Sequence, residues 1–314
     1  MQEPEFEVRV VDRYHASSTV LTLVVRTANG GPLPGWEPGA HVDFLLPNGL
    51  IRQYSLCGLP EAPDRWRFGV LREENGRGGS AFIHDQIKRD DPIKIRGPRN
   101  NFQYIRGAPS LFIAGGIGIT PLLPMIYAAA ASGVAWRLYY GGRSRKAMAF
   151  TDELGQFGDR VALRPQDESG LLDLDRILTG LTEGERVYCC GPEALISAVE
   201  SRFKSGRPGS LHVERFAAPT ASPVGNAPLT VVLRRSRKTL AVSADQSILE
   251  AIEEAGIRPP CSCREGTCGT CETTVLDGRP EHRDAVLSEA EKCSGKTMMI
   301  CVSRAKDPIL ELDL

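Results

Sequence analysis

The segment CSCREGTCGTC, residues 261–271, crowds four cysteines into one short stretch. Cys263, Cys268 and Cys271 follow the spacing C-x4-C-x2-C, and Cys301 lies further downstream. This is the plant-type [2Fe-2S] spacing. Three thiolates on one tight loop wrap the cluster, and the fourth arrives from a distant element, which MMICVS (298–303) predicts to be a strand. Gly266 and Gly269 let the loop turn closely enough for backbone N–H groups to face the sulfurs. Structural zinc calls for two C-x2-C pairs or cysteine with histidine, and only one such pair is present here. Cys261 as first ligand would widen the first interval to x6, so it reads as a bystander. No C-x-H occurs, so the chain does not itself carry a Rieske cluster.

The other cysteines of the nine, Cys57, Cys189, Cys190 and Cys293, are scattered and read as small hydrophobes. The N-terminal MQEPEFEVRV has no basic-then-apolar signal pattern. A disulfide framework is therefore not expected, and the expected location is the cytoplasm. A formal net charge of −1 gives no footprint for nucleic acid or an acidic membrane. The long apolar run from Leu111 to Trp136 is broken by Gly115, Gly116, Gly118, Pro121 and Pro124. It predicts a buried strand, turn and helix rather than a membrane span.

Around the cysteine loop, LTVVLRRSRKTLAV (229–242) predicts two strands joined by a basic turn, with Arg234, Arg235, Arg237 and Lys238 as a solvated tip. SILEAIEEAG (247–256) has helical apolar spacing and ends at Gly256. Upstream, APTASPVGNAP (218–228) reads as an interdomain linker.

In the middle of the chain, SLFIAGGIGITPLLPMIYAAAAS (110–132) predicts a buried strand, a glycine turn and a helix with Thr120 as N-cap. Gly115, Gly116 and Gly118 would let a diphosphate approach the helix N-terminus, although such a turn also serves as a plain tight connection. WRLYYGGRSR (136–145) and RVYCCGPEALISAVESRF (186–203) supply two more strands with loops at their C-terminal ends. Three such strands suit a parallel sheet with ligand at that edge. The GRSRK loop offers Arg143 and neighbouring cations to a ribose or phosphate, or to solvent alone. These residues alone do not separate NADH from NADPH; the absence of a longer basic cluster leans toward NADH.

Residues 6–104 read as short strands: FEVRVVDRYH, TVLTLVVRTA, HVDFLLP, IRQYSLCG, RWRFGVLRE and DPIKIRGP. Such a run with Gly/Pro turns suggests an antiparallel barrel. In RQYSL, alternation puts Arg52 and Tyr54 on one strand face. In NGRGGSAFIHD (75–85), Gly78 and Gly79 lead into Ser80 as a helix N-cap, a phosphate cradle with which Arg52 would pair.

RQYSL, GGIGITP, CCGP and the C-x4-C-x2-C…C tail, in that order, resemble the phthalate dioxygenase reductase family, to which vanillate demethylase reductases also belong. The resemblance covers nearly the whole chain. It implies a multidomain protein: an antiparallel β-barrel FMN domain (1–104), an α/β parallel-sheet nucleotide domain of the ferredoxin–NADP reductase kind (105–217), the linker 218–228, and an α+β, β-grasp ferredoxin domain (229–314). It implies that Arg52, Gln53, Tyr54 and Ser55 line FMN, that Gly69, Val70 and Leu71 run beside its ring and ribityl chain, and that Gly78, Gly79 and Ser80 hold its phosphate. Gly116, Gly118, Thr120, Arg143, Cys190, Gly191, Pro192 and Phe216 would meet the nicotinamide nucleotide or the flavin face beside it. Ser55 and Cys190 would position flavin and nicotinamide. The selection of FMN over FAD comes from the resemblance.

A nicotinamide delivers two electrons as hydride and a [2Fe-2S] cluster accepts one, so a flavin must stand between them. The resemblance implies that the electrons go on to the Rieske oxygenase of a system acting on an aromatic acid or a demethylation substrate. Two other readings stay open: the same electron chain feeding a di-iron hydroxylase or a P450, and a ferredoxin-like carrier without reductase activity.

Overall fold

The computed structural model describes residues 4–74, 76–203, 209–217 and 226–314. Most of the expected linker, 218–225, lies outside the described residues. Strands β1 (Glu5–His15), β2 (Val20–Thr27), β3 (His41–Leu45), β4 (Ile51–Ser55), β5 (Trp66–Leu71) and β6 (Pro92–Arg99) form an antiparallel sheet in the order β4-β3-β6-β1-β2-β5. The sheet closes on itself through a Leu56–Phe68 bridge and the Cys57 N–H to Arg67 O bond at 2.9 Å. In β1, buried Val8 and Val10 alternate with exposed Glu7 and Arg9, the pattern of a wall with one dry face. Helix α1 (Gly79–Gln86) adds Ile83 to the barrel core.

Five parallel strands follow: β7 (Ser110–Gly115), β8 (Trp136–Gly142), β9 (Val161–Pro165), β10 (Arg186–Cys190) and β11 (Ser210–Glu214). Their order is β11-β10-β7-β8-β9. β7 is buried along its whole length, because each face is covered. Phe112 and Ala114 pack with helix α2 (Ile119–Ser132); Leu111 and Ile113 pack with the helices that follow β9 and β10. Three short helices lie beyond β8: α3 (Thr151–Gly155), α4 (Gln166–Ser169) and α5 (Leu174–Thr179); α6 (Glu193–Phe203) follows β10. β9 and the three short helices carry no periodicity that the sequence reading used.

Barrel and parallel sheet share one apolar core. Val20, Cys57 and Phe102 of the barrel side lie in the same cluster as Ile119, Leu122 and Met125 of α2. Arg67 of β5 donates to both carboxylate oxygens of Glu153 in α3 (2.9 and 3.0 Å), and to Cys57 O. Its guanidinium lies 5.1 Å over the Phe150 ring. These contacts make the chain through Glu214 one compact unit; a second begins at Arg215.

The second unit is built on β12 (Leu229–Leu233), β13 (Lys238–Val242), helix α7 (Ile248–Glu254), β14 (Glu272–Asp277), β15 (Pro280–Glu281), helix α8 (Glu289–Ser294), β16 (Thr297–Met299), β17 (Arg304–Ala305) and β18 (Ile309–Leu312). The main sheet runs β13-β12-β18-β14-β16, with β12 and β18 parallel. Ser247 and Glu250 form a capping box on α7, and Gly256 follows with φ of 81°. The expected solvated basic tip is in part tied down: Arg234 pairs with Glu311 and Arg235 with Asp313. No helix among the described residues is long and apolar enough to cross a membrane, and the Leu111–Trp136 run is β7, the glycine turn and α2.

Candidate functional site

The four spaced cysteines converge. Cys263, Cys268, Cys271 and Cys301 are all buried, the most exposed at 7%. The Cys263 sulfur lies within hydrogen-bonding reach of Cys268 and Cys301, and Cys271 within reach of Cys301; the Cys268 thiol donates to Thr270 Oγ1 at 3.3 Å. This mutual proximity holds Cys263 well below the usual thiol range and lowers Cys271, while Cys268 and Cys301 are pushed up. The Glu265 N–H (3.3 Å) and the Thr267 N–H (3.5 Å) also point at the Cys263 sulfur. A donor set of four buried sulfurs at this spacing fits an iron–sulfur cluster.

Loop geometry follows from sequence. Arg264, Gly266 and Gly269 have positive φ, at 57°, 68° and 80°. A Cβ on Gly266 would stand 2.6 Å from Val302 Cγ2, so glycine there lets the loop meet the Cys301 turn. Asp284, itself buried, fixes the neighbouring segment by accepting from Val286 N and Leu287 N, and Ala285 N donates to Gly266 O at 2.8 Å. Cys301 corrects one expectation. It is not in a strand: β16 ends at Met299, and the chain turns, with Ser303 N donating to Met299 O at 3.0 Å. Cys261 faces Glu253 (3.8 Å) and Arg264 (3.9 Å).

At the barrel, the structure brings Arg52 to the start of α1. A Cβ on Gly79 would lie 2.6 Å from Arg52 Cγ and Nε. Arg52 also donates to Ile51 O and Arg77 O. Gly78, with φ of 81°, caps the helix, so Ser80 is not the N-cap. Its hydroxyl instead accepts from Glu73 N at 3.0 Å, which folds the preceding loop over the helix start. Guanidinium, glycine backbone and helix N-terminus converge as a phosphate requires, and the cradle fits a flavin phosphate. Tyr54 lies on the same strand face, its ring edge-on to Phe44 at 4.9 Å, and burial pushes its hydroxyl up. Gln53 faces the other way and donates to buried Asp43 at 2.7 Å, beside Arg96 and Arg99. Ser55 ends β4 and is buried. Gly69 faces Thr120 and Phe150: its missing Cβ would be 2.9 Å from Thr120 Cγ2. Val70 is buried in the barrel core with its carbonyl bound by His84 at 2.8 Å, and half-buried Leu71 packs against α2's cluster.

In the parallel sheet the topology switches direction between β7 and β10, the place where a crevice opens at the C-terminal edge. The glycines there admit backbone. A Cβ on Gly118 would meet Cys190 O at 2.2 Å, one on Gly115 would meet Pro192 Cδ at 2.7 Å, and one on Gly191 would meet Gly115 Cα at 2.9 Å. Only Gly116, with φ of 55°, has open space on that side. Thr120 is not the N-cap: α2 starts at Ile119, and the Thr120 hydroxyl, inside the first turn, donates back to Ile117 O at 2.9 Å. Arg143 is exposed in the loop after β8, and Phe216 is 43% exposed in the second unit.

One residue at this edge was not foreseen. Glu214 ends β11 opposite Cys190 of β10. Its Oε2 is buried with no hydrogen-bond partner among the described residues, and burial pushes the carboxyl up to about 8. Burial, with Glu214 adding to it, also pushes the Cys190 thiol up. Glu214 and Cys190 thus end neighbouring strands as register partners, each pushed toward its protonated form by burial. HVERF carried the signal: an acidic residue closing a strand at the ligand-binding edge.

A sulfur-lined cluster loop, a barrel with a phosphate cradle and a doubly wound nucleotide sheet on one chain define an iron–sulfur flavoprotein reductase. Residues 231–306 match the family model for the 2Fe-2S iron-sulfur cluster binding domain. The chain is 42% identical over 302 residues to the phenoxybenzoate dioxygenase subunit beta of Ectopseudomonas oleovorans, covering 96% of this chain and 94% of that protein. It is 37% identical to phthalate dioxygenase reductase of Burkholderia cepacia, covering 100% of this chain and 99% of that one. A solved phthalate dioxygenase reductase, described as a modular structure for electron transfer from pyridine nucleotides to [2Fe-2S], superposes with a TM-score of 0.74, 35% identity and coverage of 99% and 98%. An intact type IV self-sufficient cytochrome P450 monooxygenase superposes with a TM-score of 0.90 at 38% identity; the match takes in all of this chain and 42% of that longer one. The chain belongs to the family of phthalate dioxygenase reductase and related oxygenase reductase subunits, and it is an electron-transfer oxidoreductase.

Proposed function

We propose that the chain is the NADH-dependent FMN iron–sulfur reductase component of a cytoplasmic oxygenase system, serving a Rieske-type oxygenase that acts on an aromatic acid or a demethylation substrate. When bound, the flavin would accept the two electrons of one hydride and release them singly, and the cluster would carry them one at a time. Arg52, Gly78, Gly79 and Ser80 hold the flavin phosphate, while Tyr54, Ser55 and the Gly69–Leu71 strand flank its ring. Gln53 contributes by fixing the strand through Asp43. Cys190, with Gly191, Pro192, Gly116, Gly118 and Thr120, shapes the nicotinamide crevice, and Arg143 flanks the nucleotide; Phe216 is the aromatic that the family resemblance assigns to the flavin. Cys263, Cys268, Cys271 and Cys301 hold the cluster. We read the domains as 1–104, 105–217 and 229–314, joined by 218–228.

The observation that carries the reading is the convergence of four buried sulfurs on the same chain as the Arg52–Gly79 cradle. The test is metal and flavin analysis of the purified full-length protein, followed by NADH addition under anaerobic conditions. Bleaching of bound FMN and then of the cluster is expected; a colourless protein containing zinc would overturn it. The superposition on a self-sufficient P450 supports a second acceptor class, a P450 haem. Reconstitution with a purified Rieske oxygenase and with a P450 separates the two by which one turns over.

A further inference from the structure

The C-terminal ends of β8 and β9 lie side by side, with Gly142 opposite Pro165. Each leads into charge. Gly142 runs into Arg143, Ser144 and Arg145, and Pro165 runs into α4 with Asp167 and Glu168. The two segments are tied together. Asp167 N donates to Arg143 O at 3.3 Å. The Arg145 guanidinium spans both oxygens of Glu168, Nε to Oε1 at 3.2 Å and Nη2 to Oε2 at 2.9 Å. The pair is half-exposed, at 55% and 50%. Each partner perturbs the other in the sense of a real ion pair: Glu168 is held below the usual carboxylate range by Arg145, and Arg145 is raised by Glu168.

In doubly wound sheets this edge takes the adenosine ribose, where an acid suits a 2′-hydroxyl and a cation suits a 2′-phosphate. Taken alone, Arg143 and Arg145 would suit the phosphate. With Glu168 on Arg145 the balance reverses. A 2′-phosphate would have to draw Arg145 out of a two-pronged bond and then lie beside Glu168 and Asp167. A 2′-hydroxyl carries no charge to be repelled.

We infer that Glu168, by sequestering Arg145, and Asp167 beside it set the preference for NADH over NADPH. This rests on the reductase reading above and names the residues that select the nucleotide at that site. The geometry assigns Arg145 a suppressed phosphate affinity that removal of its partner would release.

The test uses the full-length protein with two readouts: the ratio of kcat/KM for NADH and NADPH in ferricyanide reduction, and the ratio of affinities for 5′-AMP and 2′,5′-ADP by calorimetry. In Glu168→Gln both ratios should fall about tenfold at low ionic strength, the effect of one charge-assisted contact passed to the phosphate, and added salt should shrink the change. Adding Arg145→Ala should cancel the fall. Unchanged ratios in Glu168→Gln, or a fall that survives Arg145→Ala, would overturn the inference. Should neither nucleotide reduce the wild-type flavin, the reductase reading fails, and the calorimetric arm still decides the role of Glu168.

Discussion

A methyl group at position 266 would collide with Val302, and one at position 118 with the Cys190 carbonyl. Both glycines are read from sequence as places where a ligand is approached, and both turn out to admit another stretch of this chain. That distinction needs the tertiary partner and could not come from spacing. The ligand cysteines were legible because metal geometry acts through short intervals, C-x4-C-x2-C. The Cys301 turn was not, since the apolar run MMICVS reads as a strand while Leu249 N binds Ile300 O and the chain bends toward the other sulfurs. Cys268→Ser should abolish the cluster's visible absorbance and cytochrome c reduction, yet leave NADH-dependent ferricyanide reduction in place; loss of both activities would contradict the separation of roles. Glu214 makes a prediction about pH. Burial pushes its folded carboxyl up to about 8, against an ordinary value of about 4.3 in the unfolded chain. Between those values the folded state binds more protons, so this group's contribution makes stability fall as pH rises from about 4.3 to about 8, and it is level outside that window. Glu214→Gln should flatten this slope, read as the urea midpoint across pH; an unchanged slope would mean that the carboxylate is solvated.

Among elements, the barrel strands were the most legible. Their alternation survives because one face of each is dry and the other wet, as in β1. Both helix starts were misplaced, by the same cause. Hydroxyl residues normally cap, but at α1 and α2 a glycine holds the cap position, and Ser80 and Thr120 fall inside the first turn. What sequence could not reveal is the bond between β5 and α3. Arg67 and Glu153 are far apart in the chain, and each alone reads as a surface charge. In the fold Arg67 is held by Glu153, by Cys57 O and by the Phe150 ring, and Tyr127 donates to the same Glu153. The pair is 18% and 27% exposed. Arg67→Ala should therefore cost about 2 kcal/mol in urea unfolding, more than a solvated pair would. It should also slow flavin reduction by NADH in stopped-flow, because the strand beside Gly69 loses its tie to the nucleotide half. A variant with wild-type stability and rate would show the pair to be incidental.

For the whole molecule, the order of motifs was enough to anticipate a barrel, a parallel sheet and a cluster domain. It did not anticipate that the first two would share a core. The fold places Val20, Cys57 and Phe102 in one apolar cluster with α2. The same organisation predicts how the chain can be divided. A chain ending after residue 217 should keep flavin and NADH–ferricyanide activity and lose cytochrome c reduction; failure to retain flavin would show that the cradle depends on the cluster domain.

That common interior also bears on how such a protein can change over time. A cavity opened beneath α2 would loosen the barrel and the parallel sheet in the same event, so substitutions there face two tests at once. Loops at the sheet edge, such as the one carrying Arg145, answer to only one, and under the proposal above new nucleotide tastes would be acquired there without disturbing the partnership inside.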